Sequence, residues 1–372
     1  MSSNSEESAV SFLKSFFDPP PPEECVLVRS EDYKRFQQTV ALKKMEFMTP
    51  SGQRRTWMYT DYRSESHELG MADAKEDDEE DDKPQEKVEE EGPLVMLGGV
   101  CCTTETFFRQ FRGLCPRGHR LIAVQPTGDY VNVDDWIDAF CGFLDKLDAN
   151  RIHLFGSQLG GYLAMRFVCA RPSRVFSLIL CNAFCDTEPF ITKSPFFSMF
   201  ASKVLPDMVI KHWALSQLPD TMLSPAVADA IDFVVHEVDI TPGADLIAKA
   251  KLILEPGVVK PLAPDHPLLT RGGGKCVTVI MSEDANGSSF ELHEEVLKFF
   301  PDARITVVRN GGDFPYLSSA DEVNMFIEVH LRFAESIARN GEVVQDDDES
   351  EDAEDSAIEA AAAIPEPNSA WE

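Results

Sequence analysis

The amino-acid sequence predicts an α/β fold in which a mostly parallel central sheet carries helices on both faces and a helical cap. From Pro93 onward, short and almost wholly apolar segments alternate with segments of helical spacing, the pattern of a parallel sheet covered on both sides. A glycine-flanked turn joins one of these strands directly to a helix. Between Ser194 and Pro267 the strands stop and only helical spacing continues. A chain of 372 residues, 43% of them hydrophobic, can build this as one domain.

The formal net charge of −30 is concentrated in two tracts. Residues 71–91 include 12 acidic and 3 basic residues, and residues 342–372 include 12 acidic and no basic residues, which leaves only −9 for the rest. Such tracts repel themselves and stay solvated. We therefore predict a folded domain over 30–338 with an acidic inserted loop at 71–91, and disordered tails over 1–29 and 339–372. The negative balance argues against nucleic acid or an anionic membrane surface as the main partner.

The nine cysteines form no CxxC pair and no His/Cys spacing suited to zinc, so the sequence predicts no metal and no cofactor. The N-terminus lacks the basic and apolar regions of a signal peptide. The apolar runs are far shorter than the roughly 18 residues that a membrane span needs. These features predict a cytoplasmic protein without a transmembrane segment.

The predicted domain begins with a hairpin, in which Leu42–Met48 and residues 54–59 are strands joined by a Pro50-Ser51-Gly52 turn. The later strands are buried apolar segments, and helices follow them. These strands are Leu94–Leu97 and residues 121–124, 152–155, 175–180, 276–281 and 305–308.

The predicted cap covers residues 194–267, where Phe196, Phe197 and Phe200 begin a series of apolar residues with helical spacing. A helix lying on a membrane surface is the alternative for this first segment, because it is rich in Phe and Met. Lys203 and Lys211 are its main cations, which is few for an interfacial helix. We favour packing on the domain, and peripheral membrane association stays open.

The segment from Ile152 to Gly161 carries the most functional information. A strand ends in a glycine-flanked turn and a helix starts at once, which is the setting of the G-x-S-x-G nucleophile elbow of the α/β-hydrolase fold. Gly156 and Gly160 take the flanking places, and the central residue is Gln158. A carboxamide has no ionisable proton and is not a nucleophile for acyl transfer.

Two other nucleophiles remain as alternatives. Ser157 lies one place early, where elbow geometry would turn its hydroxyl away from the pocket. Cys101 and Cys102 follow the first parallel strand, but a reactive thiolate needs a cationic neighbour and none is adjacent in sequence.

The acid and base positions follow from their order in the chain. Asp284 or Glu283, after the strand at 276–281, can fill the acid position, and Asp313 stands where a hydrolase carries the catalytic histidine. A carboxylate is a weak base for a serine hydroxyl. Four histidines elsewhere are predicted to be structural or exposed, namely His119, His153, His293 and His330. Gln158, Asp284 and Asp313 are therefore read as a degenerate triad.

The pocket itself is predicted to survive. The main-chain amides of Leu159 and of Gly99 or Val100 can still form an anion-binding hole, with Ser157 beside them. A small-ligand receptor is thus an alternative function, in which Gln158 and Asp313 would bind an uncharged or cationic ligand.

The sequence resembles the maspardin family over roughly residues 30–335. The matching segments include Asp32-Tyr33-x-x-Phe36, the elbow, Ala228-Asp229-Ala230-Ile231-Asp232-Phe233 and Gly311-Gly312-Asp313-Phe314-Pro315-Tyr316-Leu317. The resemblance implies a non-catalytic α/β-hydrolase-like protein. It also implies binding to the cytoplasmic tail of a membrane receptor, and a role in endosomal and trans-Golgi vesicle traffic. This chain departs from the family at Gln158, where the family usually keeps Ser, and in its acidic insertion and tail.

Three functions are thereby ranked. The first is a pseudo-hydrolase adaptor that binds a protein partner. The second is an active hydrolase that uses Ser157 or Cys101. The third is the small-ligand receptor.

Overall fold

The computed structural model describes residues 25–63, 92–193, 207–215, 218, 224–285 and 290–340. The strands in these ranges are β1 Leu42–Met48, β2 Arg54–Tyr62, β3 Leu94–Leu97, β4 Leu121–Gln125, β5 Ile152–Ser157, β6 Val175–Cys181, β7 Val277–Ser282 and β8 Arg304–Val308. The helices are α1 Val26–Arg29, α2 Glu31–Thr39, α3 Phe108–Leu114, α4 Val133–Lys146, α5 Leu159–Ala170, α6 Glu188–Lys193, α7 Asp207–Leu215, α8 Pro225–Ile240, α9 Gly243–Ile253, α10 Pro267–Thr270, α11 Phe290–Phe299, α12 Pro315–Ser318 and α13 Ala320–Asn340.

The described strands form one eight-stranded sheet in the order β1-β2-β4-β3-β5-β6-β7-β8. The hairpin strands β1 and β2 are antiparallel, and β2 runs antiparallel to β4. All pairings from β4 through β8 are parallel. The predicted α/β-hydrolase fold, with its mostly parallel sheet, is confirmed.

Two hydrophobic layers cover the faces of the sheet. On one face, Trp57 of β2 stacks on Trp136 of α4 with ring centroids 6.2 Å apart. On the other face, Phe36 of α2 packs on Phe111 of α3 with ring centroids 5.6 Å apart. The strands between these layers are fully buried apart from the outer ones, which explains their near-continuous apolar sequence.

The folded part starts earlier in the chain than predicted. Residues 26–29 form α1, and the side chain of Leu27 is buried in the same layer as Phe36. Ser30 then caps α2, because its Oγ accepts a hydrogen bond from the amide of Tyr33 at 3.2 Å. The prediction of a disordered tail up to residue 29 is therefore wrong for residues 25–29, since an apolar residue of this segment contributes to the core.

The regular elements described between β6 and β7 are helices, joined by irregular segments. Helix α7 packs against both α8 and α9, and these three are called the cap helices below. Ser224 caps α8 by accepting from the amide of Val227 at 3.4 Å. The limits of the cap at 194–267 stay a prediction. The predicted acidic loop at 71–91, the tail from 341 onward, and Phe196, Phe197, Phe200 and Lys203 lie outside the described residues. Within the described ranges, no helix combines the length and apolarity needed to cross a membrane.

Candidate functional site: a glutamine-blocked elbow

The turn after β5 has a strained backbone. Gln158 adopts φ 49° and ψ −118°, a region that residues with a Cβ rarely occupy. The flanking glycines are required by close approach, because a Cβ on Gly160 would lie 2.2 Å from the carbonyl oxygen of Leu97. A Cβ on Gly156 would lie 2.6 Å from the carbonyl oxygen of Gly160. The sequence therefore folds here into the sharp strand–turn–helix form that raises one side chain above the sheet.

The raised side chain lies across the neighbouring loops. Gln158 Nε2 donates to the main-chain oxygen of Asp313 at 3.3 Å. Its Oε1 lies over Gly99, where an added Cβ would come within 2.3 Å of that oxygen. Leu159 begins α5, so its amide has no partner within the helix. The carboxamide thus spans from the loop after β3 to the loop after β8, beside the main-chain donors that an oxyanion hole would use.

Ser157 is enclosed beneath the turn. Its side chain has no solvent exposure. The Tyr316 hydroxyl lies beside its Oγ, and burial raises the pKa of that phenol well above its ordinary value, so Tyr316 does not act as a general base for Ser157. This placement argues against Ser157 as a displaced nucleophile.

The loop that follows β8 is fixed by two side chains. Asp284 Oδ1 accepts hydrogen bonds from the amides of Gly311 and Gly312 at 3.0 and 2.8 Å. Asn182, which adopts φ 45°, donates from Nδ2 to the carbonyl oxygen of Gly312 at 3.0 Å. Its Oδ1 accepts from the amide of Ser282 at 2.9 Å. Of the two acid candidates, Asp284 is thus the one that contacts the loop carrying the base position.

Asp313 is buried, with 3% of its surface exposed. Its carboxylate is one of the groups that raise the pKa of the Cys101 thiol, which shows that the two groups lie near each other. A carboxylate at this position cannot take the place of an imidazole, because its ordinary pKa of about 3.9 makes it a far weaker base.

Cys101 is a poor nucleophile here. Burial, with smaller contributions from Cys102 and Asp313, raises the pKa of its thiol to about 12, while Lys249 acts in the opposite direction. The thiol is therefore protonated at neutral pH.

A buried lysine of the cap was missed by sequence reasoning. Lys249 of α9 is 6% exposed, and its Nζ donates to the carbonyl oxygens of Cys102 and Val100 at 2.6 and 3.4 Å. Burial lowers the pKa of this amine. The only signal in the sequence is that this lysine stands between two alanines, Ala248 and Ala250.

A second charged group of the cap contacts the same loop. Glu237 of α8 is 1% exposed and accepts a hydrogen bond from Thr103 Oγ1. Burial raises the pKa of Glu237 to about 7. Two cap helices thus each place one buried charged side chain, Lys249 or Glu237, against the loop that carries Gly99.

The predicted structural histidines have other partners. His153 and His330 are buried and both contact Ser177, and His119 contacts Glu328 at 2.9 Å. The side chain of His293 lies outside the described residues. Within the described part of the chain, no three His, Cys, Asp or Glu side chains are grouped to hold a metal ion.

Comparison with known proteins decides the family. The model of the alpha/beta hydrolase family matches residues 94–325. Maspardin from Danio rerio and maspardin from Homo sapiens are each 34% identical over 243 residues, covering 64% of this chain and 74% of theirs. The chain belongs to the maspardin family. The resemblance noted from the sequence is thereby confirmed, and Gln158 lies at the elbow of a maspardin-family fold.

Solved structures agree on the fold. A thermophilic esterase from Thermogutta terrifontis superposes with a TM-score of 0.57 at 15% identity, covering 78% of this chain and 99% of the esterase. A hydrolase from Pseudomonas aeruginosa gives 0.55 at 12% identity over 79% of this chain and 99% of its own. Similarity at this level of identity concerns the architecture alone.

Proposed function

We propose that this maspardin-family protein is a non-catalytic adaptor with an α/β-hydrolase fold, which binds a protein partner. The observation that carries the proposal is the position of Gln158, whose carboxamide lies over Gly99 and donates to Asp313. This side chain supplies no nucleophile, and it lies beside the amides that would stabilise an oxyanion. The fold around it is kept, since Asn182 and Asp284 still fix the loop after β8.

The two alternatives have less support. An active hydrolase would need Ser157, which is enclosed, or Cys101, whose thiol has a pKa raised to about 12. A small-ligand receptor would need the space beside Gly99 that the Gln158 carboxamide fills. Loss of turnover with retention of the fold favours a binding role.

The cap helices offer the partner surface in this proposal. Lys211 Nζ of α7 donates to the carbonyl oxygen of Asp239 at 2.5 Å, so the two helices meet there. Met208 lies one turn before Lys211, and Ile240 follows Asp239. Their side chains are 57% and 60% exposed. The cytoplasmic tail of a membrane receptor, in endosomal or trans-Golgi trafficking or signalling, is the partner class implied by the family resemblance.

Covalent labelling tests the absence of catalysis. Pure protein is treated with a fluorophosphonate probe beside Gln158→Ser and Ser157→Ala variants. We expect no labelling of the wild type, and none of Gln158→Ser, because Asp313 does not supply an imidazole base. Labelling of the wild type that Ser157→Ala removes would contradict the proposal and make the protein a hydrolase.

Partner capture tests the binding role. The wild type is compared with a Met208→Glu/Ile240→Glu double variant and with Val131→Glu, a control at an 86% exposed position outside the cap. We expect receptor-derived tail peptides to be retained by the wild type and the control and lost by the double variant, with all three melting at the same temperature. Equal retention by all three proteins would exclude the cap surface as the docking site.

A further inference from the structure

The two edge strands of the sheet differ in the side chains that they present to solvent. Among the described residues β1 and β8 are the outermost strands, so each has one side without a neighbouring strand. β1 carries exposed charges at Lys43, Lys44 and Glu46, and such charges discourage a further strand from pairing. The centre of β8 is uncharged, and its Ile305 and Val307 are 50% and 40% exposed. The edge at β8 is therefore the one without this protection.

The two exposed apolar residues of β8 also direct their main-chain groups outward. Glu283, which follows β7, donates from its amide to the carbonyl oxygen of Val308 at 3.0 Å, so the main chain of Val308 faces β7. Successive residues of a strand direct their N–H and C=O groups to opposite sides. Thr306 therefore faces β7 as well, while Ile305 and Val307 present these groups at the open edge. An edge of this kind is a template for a further strand.

We propose that β8 pairs with the β8 strand of a second copy of this chain, so that two eight-stranded sheets join into one. The two strands run antiparallel about a twofold axis at Thr306, since a symmetric contact uses the same surface on both copies. Ile305 of each copy then lies opposite Val307 of the other, and the two residues of such a pair exchange both of their main-chain hydrogen bonds. Ile305 and Val307 lie on the same face of the sheet, so the pairing also buries their apolar side chains.

The charges beside these residues fit a second copy. In the twofold arrangement no two like charges lie opposite each other, because the flanking pairs are Asp302 with Asn310, Ala303 with Arg309, and Arg304 with Val308. Asp302 and Arg309 are both exposed, and Asp302 of each copy comes beside Arg309 of the other. Opposite charges therefore meet at both ends of the contact, which favours this register.

The contact leaves the cap helices apart from each other. The cap helices lie at the carboxyl ends of the parallel strands, where Lys249 holds the loop after β3. Because the two β8 strands are antiparallel, the carboxyl ends of the two sheets face opposite directions. The pairing of two copies is therefore independent of the binding role proposed above.

Mass in solution tests the proposal. The full-length protein is studied by sedimentation equilibrium in about 150 mM salt, where repulsion between two acidic chains is screened beyond about 8 Å. We expect the mass to rise with concentration from the 41.5 kDa of one chain towards twice that value. The dissociation constant should be on the order of micromolar, because a contact built on one pair of strands is small. A mass of one chain at every concentration up to the solubility limit would overturn the proposal.

Two double variants locate the contact. Ile305→Lys/Val307→Lys brings like charges together at the edge of β8. Leu42→Lys/Met48→Lys is the matched control on β1, where the two side chains are 49% and 55% exposed. We expect the β8 variant to associate at least roughly tenfold more weakly than the wild type, and the control to associate as the wild type does. Both variants should keep the melting temperature of the wild type. Association of the β8 variant as strong as that of the wild type would overturn the proposal.

Hydrogen exchange tests the pairing without any substitution. We expect the amides of Ile305 and Val307 to exchange more slowly at high protein concentration than at low concentration, because the second copy covers them. The amides of residues 42–48 in β1 should exchange at the same rate at both concentrations. Equal exchange of residues 303–309 at the two concentrations would overturn the strand pairing, even where the mass doubles.

Discussion

At position 158 we expect glycine to give a more stable protein than alanine, which is the reverse of the usual order, because the backbone there has a positive φ. We compare Gln158→Ala with Gln158→Gly. Both variants lose the carboxamide and its hydrogen bond to Asp313, so that loss cancels between them. The φ of 49° and ψ of −118° remain, and only glycine adopts them without strain.

The magnitude follows from two opposing contributions. Holding a side-chain-bearing residue in such a conformation costs about 1–3 kcal/mol. Glycine also lowers the free energy of unfolding by roughly 0.4–1 kcal/mol, because it increases the conformational entropy of the unfolded chain. We expect Gln158→Gly to have a free energy of unfolding about 1–2 kcal/mol higher than Gln158→Ala.

Urea unfolding followed by tryptophan fluorescence measures this difference. The matched control is the same pair of substitutions at Met325, which is 48% exposed within α13. There we expect the alanine variant to be more stable by about 1 kcal/mol, as in ordinary helix interiors. If alanine is as stable as glycine at position 158, the turn is not strained and the reasoning about its geometry is wrong.

The other predictions concern buried polar groups, and urea unfolding tests each of them. Asn182→Ala should lower the free energy of unfolding by about 2–4 kcal/mol, because it leaves buried main-chain groups such as the Gly312 carbonyl unpaired; a loss below about 1 kcal/mol would contradict this. The pKa values of His153 and His330 are lowered by burial. Their contribution to the free energy of unfolding is therefore complete above the ordinary histidine pKa of 6.5 and falls as pH decreases below it. We expect these two histidines together to lower the free energy of unfolding by about 2–3 kcal/mol between pH 7.5 and 5.5. His330→Gln should reduce the number of protons taken up on unfolding in this range by about one. The pKa of Glu237 is raised from 4.5 to about 7, so the folded state keeps a proton that the unfolded state loses. The wild type should therefore lose about 3 kcal/mol of its free energy of unfolding as pH rises from 4.5 to 7, and Glu237→Gln should not show this loss. An unchanged pH dependence in the variant would refute the burial argument.

The described backbone of the site has the geometry of the α/β-hydrolase fold. The elbow follows β5, and Asp284 follows β7 and contacts the loop after β8. Asp284 now holds the amides of Gly311 and Gly312, whereas in a hydrolase its position would serve a histidine. Asp284 and Asn182 therefore fix the loop after β8.

The sequence predicts those site residues that lie at a fixed offset from a recognisable neighbour in the chain. Gln158 was identified because Gly156 and Gly160 flank it at fixed offsets, and such offsets are set by the sterics of one turn. Asp313 was identified by its order after a strand. The role of Asn182 has no such signal, since a positive φ at asparagine has no unique sequence pattern.

The sequence by itself determined the alternation of strands and helices, the parallel sheet and the sharp turn at Gln158, because apolar periodicity and backbone sterics act within a few residues. It misplaced the start of the fold, since the three apolar residues at 26–28 are too few to reveal whether a core is near. Only the tertiary structure brought Lys249 onto the carbonyl of Cys102, 147 residues earlier in the chain. It also joined His153 to His330 through Ser177. Such contacts depend on which strands become neighbours and on how helices pack across them. The spacing of residues along a short segment does not determine either arrangement.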